Sequence, residues 1–162
     1  MVHDRLFQAL RGSHCPYVVV EGLAVVLQGV GRLTHDVDLV VELHSSATID
    51  LIDALEALGY QPRIPVKARD FADEAIRRAW IQDKGLQVFS LWDPSNELPP
   101  VDLFVEYPLP FDQLLENADV VDLGECVVKV ASIEHLIEMK KKAGREHDLQ
   151  DIAALKRLES RA

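Results

Sequence analysis

The sequence of 162 residues contains no apolar run that approaches the length of about 20 residues needed to cross a bilayer. Cysteine is also scarce. The two thiols, Cys15 and Cys126, show neither metal-ligand spacing nor a disulfide framework, so we expect both to be reduced and structural. The first residues do not resemble a signal peptide. Together these absences indicate a cytoplasmic protein with no membrane association.

Basic residues are also few in comparison with acidic ones. The chain has 17 Lys and Arg against 27 Asp and Glu, and its formal net charge is −10. Broad, non-specific binding to nucleic acid depends on neutralising phosphates with Lys and Arg, so the composition argues against it. The basic side chains are nevertheless clustered at residues 140–145, which is where we expect any polyanion to bind.

Common catalytic motifs are missing too. The sequence has no Gly-x-Ser-x-Gly elbow, no Walker A loop and no Cys–His nucleophile pattern. Its six histidines show no zinc-ligand spacing. These absences disfavour α/β-hydrolase, P-loop and zinc chemistry, and they direct attention to the carboxylates.

Periodicity along the chain predicts a single domain over residues 1–162, without a linker or an internal repeat. We expect an α/β (α+β) fold that ends in a C-terminal helix pair. In the last helix, Leu149, Ile152, Leu155 and Leu158 are predicted to face inward. The predicted strands are 17–20, 31–41, 60–63, 86–91, 101–107, 120–123 and 126–130, and the predicted helices are 3–11, 22–29, 45–58, 71–80, 111–117, 133–143 and 148–158.

The stretch of residues 31–41 alternates like a strand with two different faces. Its polar face carries Thr34, Asp36 and Asp38, and its apolar face carries His35, Val37, Leu39 and Val41. Two carboxylates side by side raise each other's pKa and destabilise a fold unless a cation neutralises them, and Mg²⁺ prefers such oxygen ligands. An isolated Asp-x-Asp pair, however, is more often an ordinary solvated strand face. His35 is interpreted as a core histidine.

Two further segments help to decide whether Asp36 and Asp38 form a metal site or an ordinary solvated strand face. A buried strand at residues 17–20 leads to Gly22, and the helix predicted to begin there would offer free backbone N–H groups to a phosphate. A second alternating strand, residues 101–107, places Asp102 and Glu106 on the face opposite its apolar side chains. Two cations held close together need a third carboxylate on a neighbouring strand, and Asp102 would supply it. Without Asp36 and Asp38, Asp102 would be interpreted only as the cap at the start of an ordinary strand.

Two segments together resemble one known family. They are Gly-Leu-Ala-Val…Gly-Val-Gly-Arg-Leu-Thr-His-Asp-Val-Asp-Leu, residues 22–39, and the tail in which Leu136-Ile137-Glu138-Met139-Lys140 is followed by Ala143-Gly144-Arg145, Asp148 and Asp151. The chain resembles the minimal nucleotidyltransferases of the DNA polymerase β superfamily, and most closely the AbiEii-like (abortive-infection toxin) and related bacterial groups. The likeness extends from about residue 17 to residue 158. Residues 65–83 match nothing in it, and the loop at residues 92–98 shows no motif.

The resemblance implies a nucleotidyltransferase fold with a mixed β-sheet flanked by helices. It also implies an enzyme that moves an NMP from an NTP to a hydroxyl acceptor on tRNA or protein. Asp36, Asp38 and Asp102 would be the catalytic residues and would hold two Mg²⁺ or Mn²⁺ ions. The residues implied in nucleotide binding are Gly22, Arg32, Thr34, Lys140 and Arg145. For Arg32 a structural ion pair is an equal alternative, and Lys140 in the last turn of a helix is favourable for the helix dipole alone.

One residue departs from the family pattern, which has Gly-Gly or Gly-Ser where this chain has Glu21-Gly22. A carboxylate at this position would repel a triphosphate, add a metal ligand, or mark a chain that has lost transferase activity. Two alternatives therefore stay open. One is a catalytically weak or inactive partner of a cognate toxin or antitoxin protein. The other is an antibiotic-modifying nucleotidyltransferase with a small-molecule acceptor.

Overall fold

The computed structural model describes residues 3–161, apart from the side chain of Ser45. The helices are α1 (Asp4–Gly12), α2 (Glu21–Leu27), α3 (Ser45–Ala57), α4 (Glu74–Lys84), α5 (Phe111–Glu116), α6 (Ile133–Ala143) and α7 (Glu146–Arg161), with a 3₁₀ helix at Ala68–Ala72. The strands are β1 (Tyr17–Val20), β2 (Val37–Val41), β3 (Gln61–Pro62), β4 (Val88–Trp92), β5 (Val101–Phe104), β6 (Asp119–Asp122) and β7 (Val127–Val130). None of these helices combines the length and the apolar character of a membrane span.

The strands of the described chain join one mixed sheet in the order β3-β4-β5-β2-β1-β7-β6. β2 pairs in parallel with β5, and β1 pairs in parallel with β7, whereas the remaining pairs are antiparallel. The two-residue strand β3 contains Pro62 and lies at an edge of the sheet. Proline has no backbone N–H group to donate, and an edge strand tolerates this because one of its sides has no neighbouring strand. The predicted mixed sheet with flanking helices is confirmed.

The central strands supply most of the core. Val18, Val19 and Val20 of β1 are fully buried, as expected for a β-branched run that is covered on both faces. On β5, Leu103 is fully buried, whereas Asp102 is only half-buried. The predicted alternation is therefore confirmed for residues 101–104, although the strand ends three residues before the predicted end. The alternation turns one face of the strand to the core and the other to a cleft.

The C-terminal helix pair is confirmed as well. Helix α6 begins after Ser132, whose Oγ accepts a hydrogen bond of 3.1 Å from the backbone N–H of His135. The helix ends at Gly144, which has a φ of 63° in the left-handed region where glycine has no steric cost. Helix α7 follows after one further residue and packs against α6.

The buried face of α7 differs from the predicted one. Leu149, which was expected inside, is 62% exposed. The side chains of α7 that are buried are Asp148, Asp151, Ile152 and Leu155, a set with the spacing of a single helical face. The prediction was wrong because it assigned inward positions to apolar residues alone, whereas two carboxylates of this helix are paired in the interior with a buried lysine of α6.

Residues 65–83 form a cover over one end of the sheet. The single helix predicted at residues 71–80 is wrong at its start, because Phe71 lies in the 3₁₀ helix and α4 begins only after Asp73. The Asp73 carboxylate caps α4 by accepting a 3.1 Å hydrogen bond from the N–H of Ile76. The rings of Phe71 and Trp80 stack on Phe89 of β4 at 5.3 Å and 5.2 Å. This region therefore contributes to the core.

Candidate active site

An open cleft of about 1080 Å³ lies between the sheet and the C-terminal helix pair. It is lined by the β1–α2 junction, the loop before β2, strand β5 and the α6–α7 junction. Every residue that the sequence suggested for the site lines this one cleft: Glu21, Gly22, Arg32, Thr34, Asp36, Asp38, Asp102, Lys140 and Arg145. The fold thus brings together residues that are separated by more than a hundred positions.

Two carboxylates face each other across neighbouring strands. β2 and β5 run parallel, and their register places Asp38 directly opposite Asp102. Both side chains are half-buried, while Asp36 is exposed because β2 begins only at Val37. The cleft therefore holds a half-buried pair of carboxylates with a third at its margin.

The electrostatics of this pair show a surplus of negative charge. Burial, and then the charges of Asp102, Glu21 and Asp36, raise the pKa of Asp38 to about 7, although Arg145 acts in the opposite direction. Burial also raises the pKa of Asp102, although the neighbouring Ser90 acts in the opposite direction. Carboxylates whose ionised forms are disfavoured in this way are ones that a nearby cation would stabilise.

The donor chemistry suits a hard divalent cation, because carboxylate oxygens are the ligands that Mg²⁺ and Mn²⁺ prefer. In the observed side-chain positions, however, no three His, Cys, Asp or Glu side chains within residues 3–161 lie close enough together to hold a metal ion. The three aspartates thus provide suitable ligand types at one place, but they do not form an assembled coordination sphere.

His35 does not belong to the core, contrary to the prediction. It is exposed and lines the cleft next to Asp36. The predicted alternation of residues 31–41 fails here because the strand does not begin until Val37, so the residues before it form a loop. Leu33 in the same loop is 92% exposed.

A buried lysine joins the cleft to the C-terminal helices. Lys140 is only 1% exposed, and its Nζ lies 2.9 Å from a carboxylate oxygen of Asp151, 3.3 Å from one of Asp148 and 3.4 Å from one of Glu21. Burial alone would lower the pKa of Lys140, but the hydrogen bonds and charges of these carboxylates raise it. The lysine is therefore held in its charged form by three acidic side chains.

Two arginines complete what we call the ion network. The Nε of Arg145 donates to Asp148 at 2.8 Å, and its Nη2 donates to Glu21 at 3.3 Å. Arg32 is paired with Asp151, which agrees with the alternative prediction that Arg32 forms a structural ion pair. The ion network consists of three acids, Glu21, Asp148 and Asp151, and three bases, Arg32, Lys140 and Arg145. Its formal charges cancel.

Gly22 has a packing role that the sequence did not reveal. Helix α2 begins at Glu21, one residue before the predicted start, so Gly22 lies within its first turn. A Cβ atom at Gly22 would lie 2.8 Å from the Oγ1 of Thr34, which is closer than real contacts allow. The glycine thus lets the loop before β2 pack tightly against α2.

The sequence analysis did not predict which acidic residues pair with the basic residues of the site. Asp148 and Asp151 were noted only as part of a resemblance, and no role was given to them. A signal was present, because both carboxylates lie on the same helical face as Ile152 and Leu155. Tyr107 also lines the cleft, but no pattern in the sequence distinguished it from an ordinary loop residue.

The network gives Asp148 a distinct pH dependence. Burial alone would raise its pKa, but hydrogen bonds from the side chain and backbone of Arg145 and from Lys140 lower it below the ordinary value. Because the folded pKa is the lower one, Asp148 stabilises the fold above about pH 4 and loses this contribution as the pH falls through the folded pKa. We expect Asp148→Asn to be less stable at about pH 7 and to lose less further stability than the wild type between about pH 5 and pH 2.

Urea unfolding followed by circular dichroism at a series of pH values measures this effect. Asp83→Asn, which neutralises an exposed carboxylate of α4, is the matched control and should follow the wild-type curve. Parallel stability curves for Asp148→Asn and the wild type would contradict the lowered pKa.

The arrangement of sheet and helices is that of known nucleotidyltransferases. Over 96% of both chains, the structure superposes with a TM-score of 0.62 and 18% identity on the lincosamide antibiotic adenylyltransferase LnuA, whose crystal structure contains lincomycin. The antibiotic-resistance factor ANT(2'')-Ia gives a TM-score of 0.58 at 13% identity, over 95% of this chain and 80% of that one.

A third similar structure is an antigenic nucleotidyltransferase-like protein from Paracoccidioides brasiliensis. It gives a TM-score of 0.57 at 20% identity, over 95% of this chain and 73% of that one. No protein-family model and no curated protein sequence matches the chain. The chain therefore has the nucleotidyltransferase fold, as the resemblance implied.

Proposed function

We propose that this protein is a divalent-metal-dependent nucleotidyltransferase that moves an NMP from an NTP to a hydroxyl group of an acceptor. The observation that carries the proposal is the pair formed by Asp38 and Asp102, half-buried on adjacent parallel strands in a cleft that is also lined by Glu21 and the three bases of the ion network. A surplus of carboxylates beside clustered cations suits a substrate that brings both phosphate and a metal ion.

In this proposal Asp36, Asp38 and Asp102 would hold the Mg²⁺ or Mn²⁺ ions. The ions, when bound, would supply charge neutralisation and Lewis acidity at the phosphates. The acceptor oxygen forms a bond to the α-phosphorus while the bond to the β-phosphate oxygen breaks. Pyrophosphate leaves, and the hydroxyl proton passes to one of the cleft carboxylates.

The basic residues divide into two roles. Arg145 has a side chain that is 52% exposed at the cleft, so we assign it direct contact with the phosphates. Lys140 is buried and bonded to three carboxylates, so it is a positioning residue rather than the phosphate contact that the resemblance implied. Arg32, paired with Asp151, helps to fix α7 and lies at the cleft beside Thr34.

The apolar part of the cleft lining bears on the acceptor. Val88 of β4 and Phe104 of β5 are register partners and line the cleft together with Tyr107. The Tyr107 ring is held in place because it stacks on Phe111 at 5.2 Å and its hydroxyl accepts a hydrogen bond of 2.7 Å from the N–H of Leu43. A fixed apolar surface in a protein with a net charge of −10 favours a small hydroxyl-bearing acceptor over a polyanionic acceptor such as RNA.

This preference agrees with the fold of LnuA, a lincosamide antibiotic adenylyltransferase that matches the present chain over nearly its whole length. We therefore place the antibiotic-modifying alternative ahead of a tRNA or protein acceptor. The AbiEii-like assignment and a cognate toxin or antitoxin partner remain secondary proposals, supported only by the sequence resemblance.

Label transfer is the direct test of the proposed function. NTPs labelled at the α-phosphate are incubated with the protein, Mg²⁺ or Mn²⁺, and separate pools of aminoglycosides and lincosamides, RNA, and proteins. We expect label in the small-molecule pool, and Asp102→Asn should abolish it. Label in RNA or protein would contradict the acceptor assignment, and no transfer from any NTP would favour the inactive-partner alternative.

A further inference from the structure

The backbone at Glu21 adopts a conformation that disfavours its side chain. Within residues 3–161, three residues other than glycine have φ in the left-handed region, namely His14, Glu21 and Asn96. The φ of Glu21 is 58°, where a Cβ atom meets its own backbone and where glycine is the residue with no such cost. A glutamate retained here must make interactions that offset the strain.

The side chain makes those interactions with the C-terminal helices. One oxygen of the Glu21 carboxylate accepts hydrogen bonds from Nη2 of Arg145 at 3.3 Å and from Nζ of Lys140 at 3.4 Å. The Glu21 side chain is only 18% exposed, so these ion pairs are partly shielded from water. The carboxylate thus lines the cleft, is bonded to two of its basic residues, and is close enough to Asp38 for its charge to act on that side chain.

The three bases of the ion network differ in how far an incoming anion can reach them. The side chain of Arg145 is 52% exposed, whereas Arg32 is 31% exposed and Lys140 is buried. Arg145 is therefore the base of the ion network that a phosphate in the cleft would meet first. The Glu21 carboxylate already occupies one of its donor groups, with the same kind of oxygen acceptor that a phosphate would present.

We propose that Arg145 anchors a phosphate subsite which the carboxylate of Glu21 fills when no polyphosphate is bound, so that Glu21 sets the affinity of the cleft for polyphosphate. The inference rests on the proposed function, because the polyphosphate expected there is the triphosphate of an NTP. When it binds, Arg145 exchanges the carboxylate for a phosphate oxygen. Glu21 keeps its bond to Lys140, so no partly buried carboxylate is left without a cation.

The test uses inorganic tripolyphosphate as the probe, titrated calorimetrically into the folded protein. Glu21→Gln keeps the size of the side chain and removes its charge. We expect it to lower the Kd for tripolyphosphate about tenfold. The matched control is Glu106→Gln, which removes the same charge from an exposed position of the same cleft that makes no ion pair with any other described residue. The control should change the Kd by less than about threefold.

A double-mutant cycle shows whether the effect passes through Arg145. Arg145→Gln should weaken tripolyphosphate binding about tenfold, and in that background Glu21→Gln should have little further effect. Thermal unfolding of every variant checks that it is folded. If Glu21→Gln does not fold, Glu21→Gly replaces it, since glycine suits the backbone at this position and also removes the charge.

Equal gains in Glu21→Gln and Glu106→Gln would overturn the inference, because net charge alone would explain them. Unchanged or weaker binding in folded Glu21→Gln, or no tripolyphosphate binding by any variant, would overturn it as well. Failure of the proposed function is seen separately in label transfer from NTPs. Tighter tripolyphosphate binding without transfer would leave the subsite standing and reject the enzyme, whereas transfer without a Glu21 effect would reject the subsite alone.

Discussion

Lys140→Ala is expected to lower the free energy of unfolding by about 3–5 kcal/mol, the usual cost of removing one partner from a buried ion pair. For a chain of this length that corresponds to a fall in Tm of roughly 10 °C. The loss arises because Lys140 is the one base that contacts all three acids of the ion network. Without it, buried Asp151 would keep Arg32, and buried Asp148 would keep Arg145 and a contact with His147 at 3.6 Å.

The neighbouring lysines of α6 provide the control. Lys142 lies one half-turn further along the same helix and is exposed. Among the described residues it donates only to the carbonyl oxygen of Pro108, at 3.3 Å. Lys142→Ala should change stability by no more than about 0.5 kcal/mol. Lys140→Met keeps most of the volume of the side chain, so it separates the lost charge from lost packing.

Urea unfolding followed by circular dichroism measures all three variants. If Lys140→Met is as stable as the wild type, the carboxylates around Lys140 do not need its charge, and the account of the ion network is wrong. If Lys142→Ala is as unstable as Lys140→Ala, the effect belongs to the end of the helix and not to the buried position.

The three consecutive lysines also show where prediction from sequence reached its limit. They appear alike when each is considered only as a base in the last turn of a helix. Spacing along the helix separates them, because Lys140 continues the apolar face of Ile133, Leu136 and Ile137 at i+7. Two carboxylates on the buried face of α7 complement it, so the two helices carried a readable signal for a buried ion pair.

Local patterns were sufficient for the strands that position the aspartates. Alternation along residues 101–107 and 31–41 was enough to expect Asp102 and Asp38 on the polar faces of their strands, although β2 begins only at Val37 and β5 ends at Phe104. The opposition of the two aspartates follows once β2 and β5 are neighbours. Long-range contacts were not predictable in this way. The pairing of Glu21 with Arg145 joins positions 124 residues apart. The left-handed φ of Glu21 could not be predicted either, because a glutamate does not indicate that backbone conformation in the way that a glycine does.

Asp38→Asn is expected to have opposite effects on activity and on metal-free stability. If Asp38 is a metal ligand, the change should reduce nucleotidyl transfer on the order of 10²–10³-fold, because a bound cation supplies several kcal/mol of transition-state stabilisation. In the absence of metal, the same change removes a half-buried charge that burial and neighbouring carboxylates disfavour. Metal-free Asp38→Asn should therefore be more stable than the wild type by about 1 kcal/mol or more.

Thermal unfolding with and without Mn²⁺ measures both effects on stability, and label transfer from NTPs measures the activity. At about 100 times its Kd, Mn²⁺ should stabilise the wild type by about 2.7 kcal/mol through ligand linkage, and Asp38→Asn should lose most of that gain. Asp83→Asn, which alters an exposed carboxylate outside the cleft, should leave the Mn²⁺ response unchanged.

The two arms of this experiment test different statements. A full Mn²⁺ response in Asp38→Asn would place the cation away from the strand pair, whatever the effect on transfer. A fall in metal-free stability would mean that the Asp38 carboxylate is already satisfied by the folded protein, so that no cation is needed to relieve it. Only the combination of higher metal-free stability, lost Mn²⁺ response and lost transfer fits a carboxylate that is held at a cost to the fold because it binds the metal.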